Sequence, residues 1–159
     1  MASDVSSPTP PEPRRFSIRL PRPLFLKDLT GLCQLSLEYT RVTDAGLAHL
    51  KGLTSLEALR LHGTKVTDDG LSHLKGLTNL RGLGLDGTSV TDEGLEHLKG
   101  LASLEYLSLA NTRVTDAGLE HLRGLTNLKT ILLEGTHVSK VGTDKLRAKL
   151  PGLRELVFP

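Results

Sequence analysis

The sequence predicts an α/β solenoid, with one strand and one short helix per unit and the units stacked so that their strands form one parallel sheet. Three observations predict it. Leu32, Leu56, Leu80, Leu104 and Leu128 are 24 residues apart and Leu153 follows after 25; a fixed period of this length marks a repeat architecture. Inside each unit the apolar spacing switches from two to about three, which is the change from strand to helix. Leucine supplies 35 of the 159 residues while aromatics are 3% and Trp is absent, so the core is aliphatic. A unit of one strand and one helix cannot bury its own leucines, and neighbours must stack.

The elements follow in chain order. Six of the eight prolines fall in the first 23 residues, and residues 1–15 hold too little apolar surface to offset ordering, so a disordered, proline-rich tail is expected there. Residues 16–31 read as a shortened N-terminal capping unit: Ile18 and Leu20 alternate, and Leu26 and Leu29 mimic Leu50 and Leu53. The repeat domain is expected over 32–159, with units starting at 32, 56, 80, 104, 128 and 153. The unit from Leu56 reads LEALRLHGTKVTDDGLSHLKGLTN. Leu59 and Leu61 fall on one face and Ala58, Arg60 and His62 on the other, as in a strand. Leu71, Leu74 and Leu77 then step at helical spacing. Thr67 stands where it caps that helix, Asp68 and Asp69 sit in its positive first turn, and Gly76 ends it in a left-handed conformation. Ser139, Lys140 and Thr143 depart from the consensus, and Leu153, Leu156 and Phe158 form a last strand with no helix following it.

The pattern LxxLxLxxTxVTDxGLxHLKGLTx resembles the leucine-rich repeat family over residues 32–158. Its TDxGL form looks like the repeats of bacterial leucine-rich repeat proteins. It is also similar to the cysteine-containing repeats of F-box adaptors and, more distantly, to ribonuclease inhibitor. The resemblance implies a curved, horseshoe-like segment with parallel strands on the concave side and short helices on the convex side. Geometry supplies a reason: strands stack about 4.8 Å apart, whereas a helix with its side chains is about 10 Å across. The chain departs from the family at the ladder position, where Thr40, Thr64, Thr88, Thr112 and Thr136 replace the usual Asn or Cys. A Thr hydroxyl can still bond the backbone of the turn.

Charge and motifs narrow the function. Residues 1–31 carry a net charge of +2 and the remainder is balanced, with 15 basic and 15 acidic side chains. The body therefore has no field to attract nucleic acid or an anionic membrane. No apolar run reaches the roughly 18 residues of a membrane span, no secretory leader is apparent, and the single Cys33 allows no internal disulfide. The expected place is the cytoplasm. Cys33 reads as a buried or half-buried spectator thiol. Gly82-Leu83-Gly84-Leu85-Asp86-Gly87 matches GxGxxG. A dinucleotide fingerprint needs its glycines in a strand-to-helix turn, whereas these lie within the strand. Their meaning is steric, lowering the floor of the wall. His49, His73, His97 and His121 recur on an outer helical flank, with no Cys or carboxylate to complete a metal set. Pro10-Pro11-Glu12-Pro13-Arg14-Arg15 has the PxxPxR form that SH3-type domains grip, but it reads first as an ordinary leader. No nucleophile, phosphate-loop or zinc-protease motif occurs. Neither enzyme chemistry nor a cofactor is expected.

What remains is the concave wall. Alternation places Gln34, Ser36, Glu38, Ala58, Arg60, His62, Gly82, Gly84, Asp86, Tyr106, Ser108, Ala110, Thr130, Leu132, Glu134, Glu155 and Val157 there, with Tyr39 at a strand exit. These vary from unit to unit while the leucines between them do not, as on a surface for protein recognition; Tyr and Arg are the residue types that most often carry binding energy. The expected role is non-enzymatic binding of a partner protein on this face. The alternative is a structural repeat fragment of a larger assembly or chain, packing or weakly self-associating through its last strand edge.

Overall fold

The computed structural model describes residues 29–158. The tail expected over 1–15, its PxxPxR stretch and residues 16–28 of the shortened unit lie outside the described residues.

Six three-residue strands form one parallel sheet in strict sequence order: β1 Gln34–Ser36, β2 Ala58–Arg60, β3 Gly82–Gly84, β4 Tyr106–Ser108, β5 Thr130–Leu132 and β6 Glu155–Val157. The register aligns the central residue of every strand, Leu35, Leu59, Leu83, Leu107, Ile131 and Leu156, into a single ladder. The first five of these are buried, and Leu156 is half-buried against the same core. The fold is a curved α/β repeat solenoid, and its core is the aliphatic file between sheet and helices.

Four helices have the same form. α1 Asp44–Leu47, α2 Asp68–Leu71, α3 Asp92–Leu95 and α4 Asp116–Leu119 each run directly into a three-residue 3₁₀ turn. The leucine spacing explains this: Leu71, Leu74 and Leu77 step by three, and a 3₁₀ helix puts residues three apart on the same face. The last helix, α5 Lys140–Lys149, is a ten-residue α-helix. There the step from Leu146 to Leu150 is four, so the extra residue of the 25-residue unit converts a 3₁₀ turn into α-helix. The unit that departs most from the consensus thus has the most regular helix.

Two expectations about the helix ends are corrected. Gly76 does not adopt a left-handed conformation; Leu77 N–H bonds Leu74 C=O and Leu80 N–H bonds Leu77 C=O, both at 2.9 Å, so successive i to i−3 turns carry the chain around. The left-handed residues lie instead beyond the strands, at Tyr39, Gly63, Gly87, Asn111 and Gly135, again 24 apart. Thr67 does not cap its own helix with its side chain. Its hydroxyl and backbone N–H both donate to the carboxylate of Asp44 in the preceding unit, at 2.8 Å each.

That bracket recurs. Asp68 accepts from Thr91, Asp92 from Thr115 and Asp116 from Ser139, each through one N–H and one hydroxyl at 2.6–2.7 Å. The aspartates do stand in first turns, where the helix dipole favours them, but their oxygens join consecutive units. The glycine of TDxGL completes the device. A Cβ at Gly70, Gly94, Gly118 or Gly142 would overlap Oδ1 of the preceding unit's Asp. The Thr ladder behaves as expected: each hydroxyl donates to the carbonyl three residues earlier, from Thr40 to Leu37 through Thr136 to Leu133, at 2.6–2.7 Å.

Candidate functional site

With the central residue of each strand turned inward, the two flanking positions and the one after them face the other side of the sheet. Arg60, Tyr106, Glu134 and Glu155 are exposed; Gln34, Ser36, Glu38, Ala58, His62, Asp86, Thr130, Leu132 and Val157 are half-buried. Ser108, with no exposed surface, and Ala110 are instead buried. Ser108 lies under its neighbours because its hydroxyl donates to Asp86. It supports the wall rather than offering a contact.

The first half of the wall is tied together by side chains from successive units. Ser108 and the Nδ1 of His62 both engage the Asp86 carboxylate. The Nε2 of His62 lies 3.7 Å from Glu38, and the Nε of Arg60 lies 3.8 Å from the same Glu38 oxygen. Gly84 makes the arrangement possible, because a Cβ there would overlap the His62 ring. Gly82 does less, since a Cβ would only touch Ala58 at 3.9 Å. Together the two glycines floor a shallow depression of about 280 Å³ walled by Ala58, Arg60, His62 and Tyr106. The GxGxxG match is therefore a matter of space, as its position within a strand implies.

Tyr39 sits at the rim. It is 83% exposed and takes a left-handed backbone (φ 54°), a position filled in the other four units by Gly or Asn. A bulky side chain there costs about 1–2 kcal/mol. Its ring lies over Gly63, where a Cβ would come within 2.7 Å of it. Sequence alternation brought Tyr39 to notice, but the strain is visible only in the backbone.

The second half of the wall has a different character. Leu132 and Val157 are paired across β5 and β6, with Thr130 and Glu155 paired beside them. Glu155 accepts from the Thr130 hydroxyl at 3.4 Å, and the Glu134 carboxylate has no hydrogen-bond or ion-pair partner among the described residues.

The other candidates resolve simply. Cys33 is exposed, not buried as expected, because it occupies the outward column just before the strand; its thiol donates to the Gly31 carbonyl at 3.6 Å. In that column Glu105 bridges Arg81 and Lys129, and the hydrogen bond from Lys129 holds its carboxyl below the usual range. His49 is exposed and His73, His97 and His121 are half-buried on the helix side. Among the described residues no group of three or more His, Cys, Asp or Glu is placed to hold a metal, and no helix is long and apolar enough to cross a membrane.

No protein-family model matches the chain, and no curated protein does. Solved structures do. An internalin C2 from Listeria monocytogenes str. 4b F2365 superposes with a TM-score of 0.62 at 26% identity, over 84% of this chain and 74% of that one. An internalin (inlF) from the same organism superposes with a TM-score of 0.51 at 24% identity, over 84% of this chain and 50% of that one. The second likeness concerns the fold alone, and the chain spans half of that protein's length.

Proposed function

We propose that this chain, a leucine-rich repeat solenoid in its fold, is a non-enzymatic binding module that presents the concave face of its sheet to a partner protein. One observation carries the reading. On a frame whose leucines repeat from unit to unit, the wall side chains differ, and three of the exposed ones are Tyr39, Arg60 and Tyr106. One of these is held in a backbone conformation that the fold fills elsewhere with Gly or Asn. Strain of that kind is a pointer to function.

An enzymatic reading fits the same wall poorly. Ser108, Asp86 and His62 are the nearest approach to a catalytic triad, but Asp86 stands between the other two. The imidazole thus cannot take the hydroxyl proton, and Ser108 has no exposed surface. Nucleic acid and anionic membrane are poor partners for a wall whose acidic Glu38, Asp86, Glu134 and Glu155 outnumber its single Arg60.

A second reading rests on β6. Among the described residues it pairs with β5 only, and its Leu156 and the following Phe158 are half-buried, so this edge would pack on a neighbour or a second copy. The test of the main reading is capture of a partner from the host lysate, followed by calorimetry with wall variants. Binding lost with Tyr106→Ala and Arg60→Ala supports it; binding indifferent to both removes it.

A further inference from the structure

The two halves of the wall differ in how their charges are satisfied. In the first half, Glu38, Arg60, His62, Asp86 and Ser108 engage one another. In the second half, over β4 to β6, the accessible wall residues Tyr106, Thr130, Leu132, Glu134, Glu155 and Val157 include no cation; in the column before the strands Lys129 is paired with Glu105 and Arg154 forms no ion pair among the described residues. Glu134 and Glu155 are both exposed and make no ion pair among the described residues.

The register arranges these groups in rows. Leu132 and Val157 lie side by side as an apolar pair. One strand step to one side lies the row of Tyr106, Thr130 and Glu155. One step to the other side is Glu134. Same-face residues of a strand are about 6.6 Å apart along the backbone; Glu155 stands two residues before Val157 and Glu134 two residues after Leu132, in the turn beyond β5, with Tyr106, 39% exposed, at the far end of the first row.

We propose that this half of the wall receives a cationic amphipathic segment of a partner protein, with an apolar side chain on Leu132 and Val157 and a Lys or Arg on each side of it. The proposal rests on the concave-face reading and names the chemistry of its partner. Charge complementarity selects the occupant. Two unpaired carboxylates disfavour an acidic peptide, a nucleic acid backbone or an anionic bilayer, and they meet their match in Lys or Arg. The apolar pair between them supplies the area that a hydrophilic cation alone would leave uncovered.

The test is a titration of isotope-labelled protein, followed by amide chemical shifts, with three short capped peptides: alternating Lys and Leu, alternating Glu and Leu, and alternating Lys and Ser. The expected result is saturable shifts confined to Thr130, Leu132, Glu134, Glu155 and Val157 with the Lys/Leu peptide alone. Glu134→Gln with Glu155→Gln, which keep the side-chain shape, should weaken that binding by about fivefold or more, as expected for exposed charge pairs, and added salt should do the same. Equal binding of the Glu/Leu peptide, or no effect of the double variant, overturns the proposal. The location of the shifts separates the two failures. Shifts around Arg60 and Glu38 would leave the concave reading standing and remove this one. Shifts on the helix side would remove both.

Discussion

Gly142→Ala should change sign with its background. Gly142 lies in the first turn of α5, and the three nearest neighbours of a Cβ there would all be atoms of the Asp116 side chain, its Oδ1 overlapped. In the wild type that overlap displaces the carboxylate and forfeits the two bonds from Ser139, its N–H at 2.7 Å and its hydroxyl at 2.6 Å. Bonds to a charged acceptor contribute about 1.5–3 kcal/mol each when sheltered; Ser139 is exposed, so we take about 2 kcal/mol for the pair. Against this, Ala in place of a helical Gly gains about 0.5–1 kcal/mol. Gly142→Ala alone should therefore destabilise by about 1 kcal/mol. In an Asp116→Ala background the obstacle is gone, and the same change should stabilise by about 0.5–1 kcal/mol. Urea unfolding followed by circular dichroism reads both, and the coupling well exceeds the few tenths of a kcal/mol by which independent sites fail to add. The same Ser139 bonds, the hydroxyl first, hold the Asp116 carboxyl below its ordinary value. The bracket's contribution is thus full above the unfolded-state value and is lost as pH falls through the lower folded-state value; Asp116→Ala should remove this acid sensitivity. Equal stabilisation by Gly142→Ala in both backgrounds would refute the bracket.

Three further outcomes follow from the same geometry. Leu83→Ala, at a side chain with no exposed surface in the central strand, should cost about 2–5 kcal/mol in a denaturation series, whereas Arg60→Ala should cost little; equal losses would mean the inward and outward phases are exchanged. Tyr39→Gly relieves the left-handed backbone and should raise stability by up to about 1 kcal/mol while weakening a captured partner; a stability loss would show that the ring's contact with Gly63 outweighs the strain. Phe158→Glu should reduce and Arg154→Leu should increase any concentration-dependent mass in sedimentation, and a monomer unmoved by either removes the edge reading.

The frame was legible because leucine spacing encodes it twice, at period two in the strands and period three in the turns. Register followed from the 24-residue identity, since residues one period apart must stand side by side. What eluded the sequence were contacts between units. Asp68 and Gly94 are 26 residues apart and belong to different motif copies, and within one copy the helix dipole accounts for the aspartate and capping for the threonine, whose side chain does accept from the helix at Thr91 and Thr115. Only stacking brings the Asp68 carboxylate onto Thr91 and shows why position 94 can bear no Cβ. The wall was legible as a list of positions. Its division was not, because the pairing of His62 with Asp86 and Glu38, and the isolation of Glu134, depend on side-chain directions that alternation leaves open. Ser108 was misjudged for the same reason: an outward position is not an exposed one when a neighbour's carboxylate draws the side chain down.

The deciding measurement is a calorimetric comparison, with one captured partner, of wall and helix-side variants. Tyr106→Ala and Arg60→Ala should each weaken binding by more than about 1 kcal/mol with the melting curve preserved. Glu96→Ala and Glu120→Ala, on the 3₁₀ turns of the helix side where they pair with Lys99 and Arg123, should leave it unchanged. The reverse ranking would place the binding surface on the convex face and contradict the concave wall as the site.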